Sequence, residues 1–240
     1  RLRVVFDAAL RNAPLAGRLV LDAGCGTGEF SRRAAAKGAR VVALDIGPRL
    51  VAVACRKTRG LLGVVGDLMA LPMPEGAFDY VICSEAIEHT VVPRLAVGEL
   101  CRVLKPGGTL VLTAPNRVWG FALVIARLLR VRPYHGNEHW VTSGQLRRWL
   151  TAAQCRPERL WGFHLFPFVL HATHRLLDAC DRWGDRLYPI MLNLSVVAKK
   201  TSTSLSAEPR GGETADWMEA GRAADALTAM PSAYSTGEVR

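Results

Sequence analysis

An apolar strand that runs into three closely spaced glycines and then a helix is the feature that most constrains the fold of this chain. Residues 18–21 predict the strand, Asp22 follows it, glycines stand at positions 24, 26 and 28, and residues 29–37 predict the helix. Glycine lets the backbone approach a ligand closely, and a helix start presents bare N–H groups to it. The spacing is not the G-x-G-x-x-G that seats a dinucleotide pyrophosphate. Asp22 would repel a pyrophosphate, so the stretch suits a ligand with a cationic amino group.

The rest of the chain alternates strands with helices, which predicts a doubly wound α/β fold whose sheet is mostly parallel and has seven strands. The further predicted strands are 40–45, 61–65, 78–83, 109–113, 159–163 and 191–198, and the further helices are 48–57, 92–104 and 145–153. Residues 1–12 predict an amphipathic helix with Val4, Val5, Ala8 and Ala9 on one side. Apolar helical inserts are expected after the fifth strand, over 118–131, and after the sixth, over 165–188.

Composition and charge bound the domain organisation and the partners. Residues 1–200 predict one domain, and residues 201–240, rich in Ser, Thr, Gly, Ala and acids, predict a disordered tail. The net charge of +10 could attract nucleic acid or anionic lipid. The arginines are spread out, however, and none form a basic run interleaved with aromatic residues. An ordinary solvated surface is therefore slightly favoured, and nucleic acid is not the expected partner.

Cysteine usage and hydropathy point to the cytoplasm. The six cysteines are scattered and contain no C-x-x-C pair, which favours reduced thiols over disulfides or a zinc site. No run of about 18 uncharged apolar residues is present, so no membrane-spanning helix is expected.

The glycine-rich stretch resembles motif I of the class I S-adenosylmethionine (SAM) dependent methyltransferases. Residues 102–112 also resemble the turn and fifth strand of that family, and the likeness extends over about 18–200. The resemblance implies a Rossmann-like fold and SAM as cofactor. It implies that Gly24, Gly26 and Gly28 let the backbone approach the methionine portion of SAM, and that Asp22 orients its amino group directly or through water.

The same resemblance assigns residues at later strand ends to SAM. Asp45, with Ile46 beside it, would hold the ribose hydroxyls; Asp67 would accept from the adenine amino group, with Leu68 beside the ring; Ser84 would lie near the sulfonium. Taken singly, Asp45 could instead cap a helix and Asp67 a turn. A nicotinamide-dependent oxidoreductase shares the acid that binds ribose, but the glycine spacing and Asp67 count against it.

A Glu-x-x-Glu-His sequence directly after the fourth strand indicates the acceptor side. On a helix, Glu85, Glu88 and His89 would project from one side. Ubiquinone-biosynthesis O-methyltransferases and small-RNA terminal 2′-O-methyltransferases, which this sequence resembles, carry the same cluster and a later histidine. The resemblance implies a divalent metal such as Mg²⁺ on these three residues and His139. Without metal, His89 could act as the general base, or the segment could simply pack locally.

These features predict a SAM-dependent methyltransferase that acts on oxygen of a small hydrophobic hydroxylated metabolite, such as a quinone precursor, a phenol or a lipid-linked acceptor. The alternatives are an RNA 2′-O-methyltransferase and a SAM-binding regulator without catalysis. The apolar inserts could line the acceptor pocket, or rest on a membrane with Arg127, Arg130 and Arg132 towards lipid phosphates. They could equally form ordinary core or a dimer interface.

Overall fold

The computed structural model describes residues 1–121, 138–164 and 183–202. A π-helix over Val4–Ala9 precedes the first strand, and short 3-10 helices lie at Ile87–His89, Arg117–Trp119 and Tyr188–Ile190. The strands are β1 (Leu19–Ala23), β2 (Arg40–Asp45), β3 (Leu62–Val65), β4 (Phe78–Ser84), β5 (Leu104–Pro115), β6 (Cys155–Phe163) and β7 (Asn193–Lys200). The helices are α1 (Glu29–Ala36), α2 (Pro48–Lys57), α3 (Pro93–Arg102), α4 (Ser143–Ala152) and α5 (Gly184–Leu187).

The seven strands form one sheet in the order β3-β2-β1-β4-β5-β7-β6. Strands β1 to β5 pair in parallel, and β7 is antiparallel to both β5 and β6. The predicted doubly wound, mostly parallel sheet of seven strands is thus confirmed. Because the chain moves from β1 outwards to β3 and then returns to β4 on the other side of β1, the order reverses between β1 and β4. In open α/β sheets, ligands bind outside the carboxyl ends of the strands at such a reversal.

Both faces of the central strands are buried. Val20 and Leu21 on β1 are fully inaccessible, and their side chains point to opposite faces because successive strand residues alternate. On one face, Val20 belongs to a core cluster that includes Ala34 of α1 and Ala54 of α2. Burial on both faces explains why β1 and β2 read as continuous apolar runs in the sequence.

The N-terminal helix differs from the sequence prediction. It is a π-helix, in which Leu10 N–H donates to Val5 O five residues back. The wider turn brings Val5, Phe6 and Leu10 into the core and leaves Ala8 exposed. Phe6 stacks on Phe30 of α1, with ring centroids 6.3 Å apart. The predicted face of an ordinary α-helix was therefore wrong, because 3.6-residue periodicity does not describe this turn.

Strand β5 begins earlier than predicted and contains an irregularity. Leu104 pairs with Phe78 and Thr109 pairs with Tyr80, so four residues are inserted against one. These four are the predicted turn 105–108, in which Gly107 has φ +75°. The turn thus exists, but inside a strand rather than before it. A bulge of this kind increases local twist.

The two predicted inserts and the predicted tail fall largely outside the described residues. Of the first insert only residues up to 121 are described, and of the second only α5 and the 3-10 turn Tyr188–Ile190. Arg1–Leu205 form one compact unit, and the tail over 201–240 stays a prediction. Among the described residues, no helix is long and apolar enough to cross a bilayer.

Candidate functional site

The glycine turn, residues 24–28, connects β1 to α1 at the point where the strand order of the sheet reverses. Gly24 and Gly28 have φ of +74° and +81°. A Cβ on Gly24 would lie 2.4 Å from Ala86 Cβ, and one on Gly28 would lie 2.7 Å from Ala54 Cβ. A Cβ on Gly26 would meet no atom within 4 Å. Gly24 and Gly28 are therefore needed for close packing on neighbouring segments, whereas the space beside Gly26 is open.

The turn is fastened to the end of β2 by its own N–H groups. Those of Gly24 and Cys25 both donate to Leu44 O, at 2.8 and 2.9 Å, and that of Gly26 donates to Asp45 Oδ2 at 2.9 Å. The expectation of bare N–H groups is therefore wrong for these three residues. The glycines allow the backbone to approach a ligand closely, while the N–H groups of the turn make the hydrogen bonds that fix its conformation.

Asp45 links two turns at the end of β2. Its Oδ2 accepts from Gly26 N–H and its Oδ1 from Gly47 N–H, each at 2.9 Å. A carboxylate offers about four acceptor positions, so each oxygen retains capacity for a ligand hydroxyl. The neighbouring Ile46 is 73% exposed, a large apolar side chain left open beside the crevice.

Asp67 and Leu68 follow β3. Asp67 Oδ1 accepts from Met69 N–H at 2.8 Å, so the residue does cap its own turn. Leu68 is buried, and its Cδ1 lies 3.8 Å from the position of a Cβ on Gly24. The turn-capping alternative and the SAM-binding role are compatible, because one carboxylate oxygen remains available.

Asp22 lies at the end of β1 and is only 2% exposed. Its Oδ2 accepts from both the N–H and the hydroxyl of Ser31, at 2.8 and 2.5 Å. Burial raises the pKa of Asp22 to about 6, against the lowering effect of the Ser31 hydrogen bonds. Ser31 was not identified from the sequence, although a hydroxyl in the first turn of the helix after motif I is a readable signal.

At the end of β4, Ser84 shares a hydrogen bond of 2.8 Å between its Oγ and Thr113 Oγ1 on β5. Glu85 follows with φ +53°, in the left-handed region, and its Oε2 lies 3.1 Å from the Arg1 guanidinium. The chain therefore turns sharply as it leaves the strand. Helical structure begins only at Ile87, so the predicted single helical face holding Glu85, Glu88 and His89 was wrong.

Glu85 and Glu88 are nevertheless brought together in a poorly solvated place. Glu88 is 4% exposed, and burial together with the negative charge of Glu85 raises its pKa to about 8. Burial also raises the pKa of Glu85. Glu85 Oε1 and Glu88 Oε2 accept no hydrogen bond from the described part of the chain. Buried carboxylate oxygens without donors are costly, so these two oxygens stay unsatisfied until a cation, a donor or a proton reaches them, although Arg1 pairs with the other oxygen of Glu85.

The two histidines of the predicted metal set lie nearby in different ways. His139 N–H donates to Glu88 O at 2.8 Å, so the backbones of these two predicted ligands are neighbours. His89 is exposed at the end of its 3-10 turn. Among the described residues, no three His, Cys, Asp or Glu side chains are grouped closely enough to hold a metal ion. The two carboxylates therefore lie close together without a third ligand from the described residues.

Asn116, to which the sequence analysis assigned no role, joins chain segments that follow β5 and precede β7. It is 2% exposed, and its Nδ2 lies 3.3, 3.0 and 2.9 Å from Tyr188 O, Pro189 O and Met191 O. Its Oδ1 accepts from Val118 N–H. One buried amide thus connects the start of the first insert with the end of the second.

Comparison with known proteins identifies the family of this chain. Residues 21–112 match the model of a methyltransferase domain. Ubiquinone biosynthesis O-methyltransferase of Xanthomonas oryzae pv. oryzae is 38% identical in an alignment 181 positions long, which covers 69% of this chain and 74% of that protein. The Xylella fastidiosa protein of the same name is 32% identical in an alignment 194 positions long, which covers 74% of this chain and 76% of that one. A SAM-dependent methyltransferase structure from Mesorhizobium loti superposes with a TM-score of 0.62 at 21% identity, covering 82% of this chain and 95% of that one.

The fold is that of a Rossmann-like SAM-dependent methyltransferase. This chain belongs to the class I SAM-dependent methyltransferase family, as its resemblance to motif I indicated.

Proposed function

We propose that this enzyme transfers the SAM methyl group to a hydroxyl oxygen of a small hydrophobic acceptor, such as a quinone precursor, a phenol or a lipid-linked hydroxyl compound. The observation that carries the proposal is the likeness over 181 residues to proteins named ubiquinone biosynthesis O-methyltransferase. In those proteins' name the acceptor is a quinone precursor and the methylated atom is oxygen. The unsatisfied carboxylates Glu85 and Glu88 at the crevice add a place where a hydroxyl could be bound.

For the donor, we propose that each strand end supplies one contact. Asp22 receives the amino group and Asp45 the ribose hydroxyls. Asp67 accepts from the adenine amino group, and Ile46 and Leu68 flank the ring. The room above Gly26 supports this arrangement, because the methionine portion can cross the turn there. Ser84, fixed by Thr113, then faces the sulfonium.

The reaction is a direct in-line displacement. A bond forms between the acceptor oxygen and the methyl carbon as the carbon–sulfur bond breaks, and the electron pair goes to sulfur. The hydroxyl proton passes to His89. Most of the rate gain comes from holding the two reactants in line, and the rest from proton removal.

A divalent metal is proposed on Glu85, Glu88, His89 and His139. The two carboxylate oxygens that lack hydrogen bonds fit such an ion, whereas the histidine side chains would have to close on it. When bound, the metal would lower the pKa of the acceptor hydroxyl. Methyl transfer measured in EDTA and after Mg²⁺ is restored tests this. Full activity in EDTA, with His139→Ala harmless, would remove the metal from the proposal.

A hydrophobic acceptor would be reached most easily at a bilayer, and we propose peripheral contact at the cytoplasmic surface. Val118, Phe121 and Ile190 are 50–57% exposed around the roots of the inserts. The indole of Trp119 donates to Ile190 O and stacks on Phe121, so these apolar side chains form one surface. Co-sedimentation with anionic liposomes at low salt is expected, and its absence would argue against membrane contact.

The acceptor class is tested with methyl-labelled SAM and three acceptors: a long-chain alkyl catechol, a short water-soluble phenol and a small RNA. We expect O-methylated catechol at the highest kcat/KM. Label in the RNA 2′-oxygen would instead establish the RNA alternative. SAM binding with no transfer to any fraction of a cell lysate would support the non-catalytic regulator.

A further inference from the structure

Ser31 makes the tightest polar contact in the donor half of the crevice. It is fully buried, and its N–H and hydroxyl both reach one oxygen of Asp22, nine residues earlier. The other oxygen, Asp22 Oδ1, receives no hydrogen bond within the described residues. The first turn of α1 therefore binds one oxygen of the Asp22 carboxylate and leaves the second oxygen for another hydrogen-bond donor.

The surroundings of Asp22 oppose its negative charge. The Asp45 carboxylate on β2 raises the pKa of Asp22 further, after burial itself. The thiols facing it, Cys25 of the glycine turn and Cys83 of β4, have pKa values raised by burial and stay neutral. The charged side chains of α1 engage other partners at the surface: Glu29 with Lys57 and Arg32, and Arg33 with Asp7. Within the described part of the chain, the Ser31 hydrogen bonds are what favours the ionised form.

We propose that Ser31 is a positioning residue for the methyl donor, which holds Asp22 ionised and oriented so that its second oxygen receives the ammonium group of SAM. The proposal rests on the assignment of Asp22 to that ammonium group. It gives the hydroxyl a role beyond folding, because a neutral or rotated Asp22 would offer the cation little.

The sign of the pH dependence follows from Asp22. Below about pH 6 the carboxyl takes up a proton, and the attraction for the ammonium group is lost. Ser31→Ala removes the hydroxyl that stabilises the charged form, so the acid limb of SAM binding moves to higher pH. We expect SAM affinity to fall by roughly fivefold at pH 6 and by less than roughly twofold at pH 7.5 relative to wild type.

The experiment is a calorimetric titration of the full chain with SAM from pH 5.5 to 7.5, repeated with 5′-methylthioadenosine, which has no amino group. Ser31→Thr keeps a hydroxyl and is expected to restore the wild-type acid limb. Ser195→Ala is the matched control, because the Ser195 hydroxyl is buried and has no hydrogen-bond partner among the described residues. Methylthioadenosine binding is expected to keep the same pH profile in all four proteins.

Two results would overturn the proposal. An acid limb for SAM that is identical in wild type and Ser31→Ala means that Ser31 does not act through Asp22. A loss of affinity in Ser31→Ala that is equal at every pH and equal for methylthioadenosine indicates a structural role only. The underlying assignment fails separately: wild-type SAM affinity that does not fall as the pH drops below 6 would mean that Asp22 does not receive the ammonium group.

Discussion

The donor and acceptor sides of the crevice differ in how their polar groups are satisfied. On the donor side, the N–H groups of Gly24, Cys25 and Gly26 have protein partners, and Asp45 bridges two turns. On the acceptor side, Glu85 and Glu88 keep oxygens without hydrogen bonds from the described residues, and the pKa of Glu88 is raised to about 8.

The polar groups of the donor side thus have their hydrogen-bond partners before SAM binds, whereas the acceptor side keeps polar groups that a ligand would satisfy. The methyl donor SAM is the same molecule for every member of the family, so a backbone of fixed shape can bind it. On the acceptor side, buried carboxylate oxygens without hydrogen bonds favour a ligand that satisfies them, at the cost of a less stable free protein. The four predictions below test that contrast, from the largest effect to the smallest.

A methyl group added to the donor side at Gly24, where the glycine turn packs against Ala86, should strongly destabilise the protein. In Gly24→Ala the new methyl meets Ala86 Cβ at 2.4 Å in a left-handed conformation, and we expect a loss of about 3–4 kcal/mol of unfolding free energy. Gly26→Ala has the same backbone problem but open space, so it should lose about 1–2 kcal/mol. Urea unfolding measures both, and equal losses would contradict a tightly packed donor turn.

Asn116→Ala should damage the acceptor side alone. The substitution removes the donor that serves the 188–191 carbonyls, and we expect about 3 kcal/mol of destabilisation. Acceptor KM should rise by tenfold or more while the SAM dissociation constant stays within about twofold. A SAM affinity that falls as much as the acceptor affinity would show that the two sides are not separate.

Glu88 should make the free protein less stable as the pH rises. A carboxyl whose pKa is raised to about 8 in the folded state contributes stability below its unfolded value, and that stability is lost as the pH rises through about 8. Between pH 6 and 8.5 in EDTA, wild type should lose about 2.5 kcal/mol more than Glu88→Gln. Urea unfolding at both pH values gives the difference.

An exposed carboxyl supplies the control for that measurement. Glu158→Gln should follow wild type, because Glu158 is at the surface. Parallel pH profiles for wild type and Glu88→Gln would mean that Glu88 is already satisfied, and that the acceptor side resembles the donor side.

Asp67→Asn should weaken SAM binding without disturbing the fold. Asn can still accept from Met69 N–H, so the turn survives, but it no longer offers a charged acceptor to the adenine amino group. We expect SAM affinity to fall by roughly tenfold, about 1.4 kcal/mol. Methylthioadenosine should be affected equally, since it keeps the adenine; a loss confined to SAM would remove Asp67 from the adenine site.

The sequence predicted the positions of the donor-side residues better than those of the acceptor side for a physical reason. A parallel sheet fixes where strand ends lie, so the hydropathy pattern placed Asp22, Asp45 and Ser84 at strand ends, while their roles towards SAM came from the family resemblance. The left-handed turn at Glu85 and the π-helix at Val4–Ala9 depend on tertiary packing, and no local sequence pattern predicts them. The role of Asn116 was not predicted because its side chain bonds carbonyls more than 70 residues later in the chain, whereas Ser31 bonds Asp22 only nine residues earlier and could have been found from the helix start after the glycines.

Amide hydrogen exchange of the SAM-free enzyme, read residue by residue by NMR, tests most directly whether the donor side is complete before binding. The hydrogen bonds from Gly24, Cys25 and Gly26 to Leu44 and Asp45 predict that these amides exchange at least about a hundredfold more slowly than in an unfolded chain, without SAM. Exchange at the unfolded rate until SAM is added would show that the ligand builds the turn, and would contradict the account.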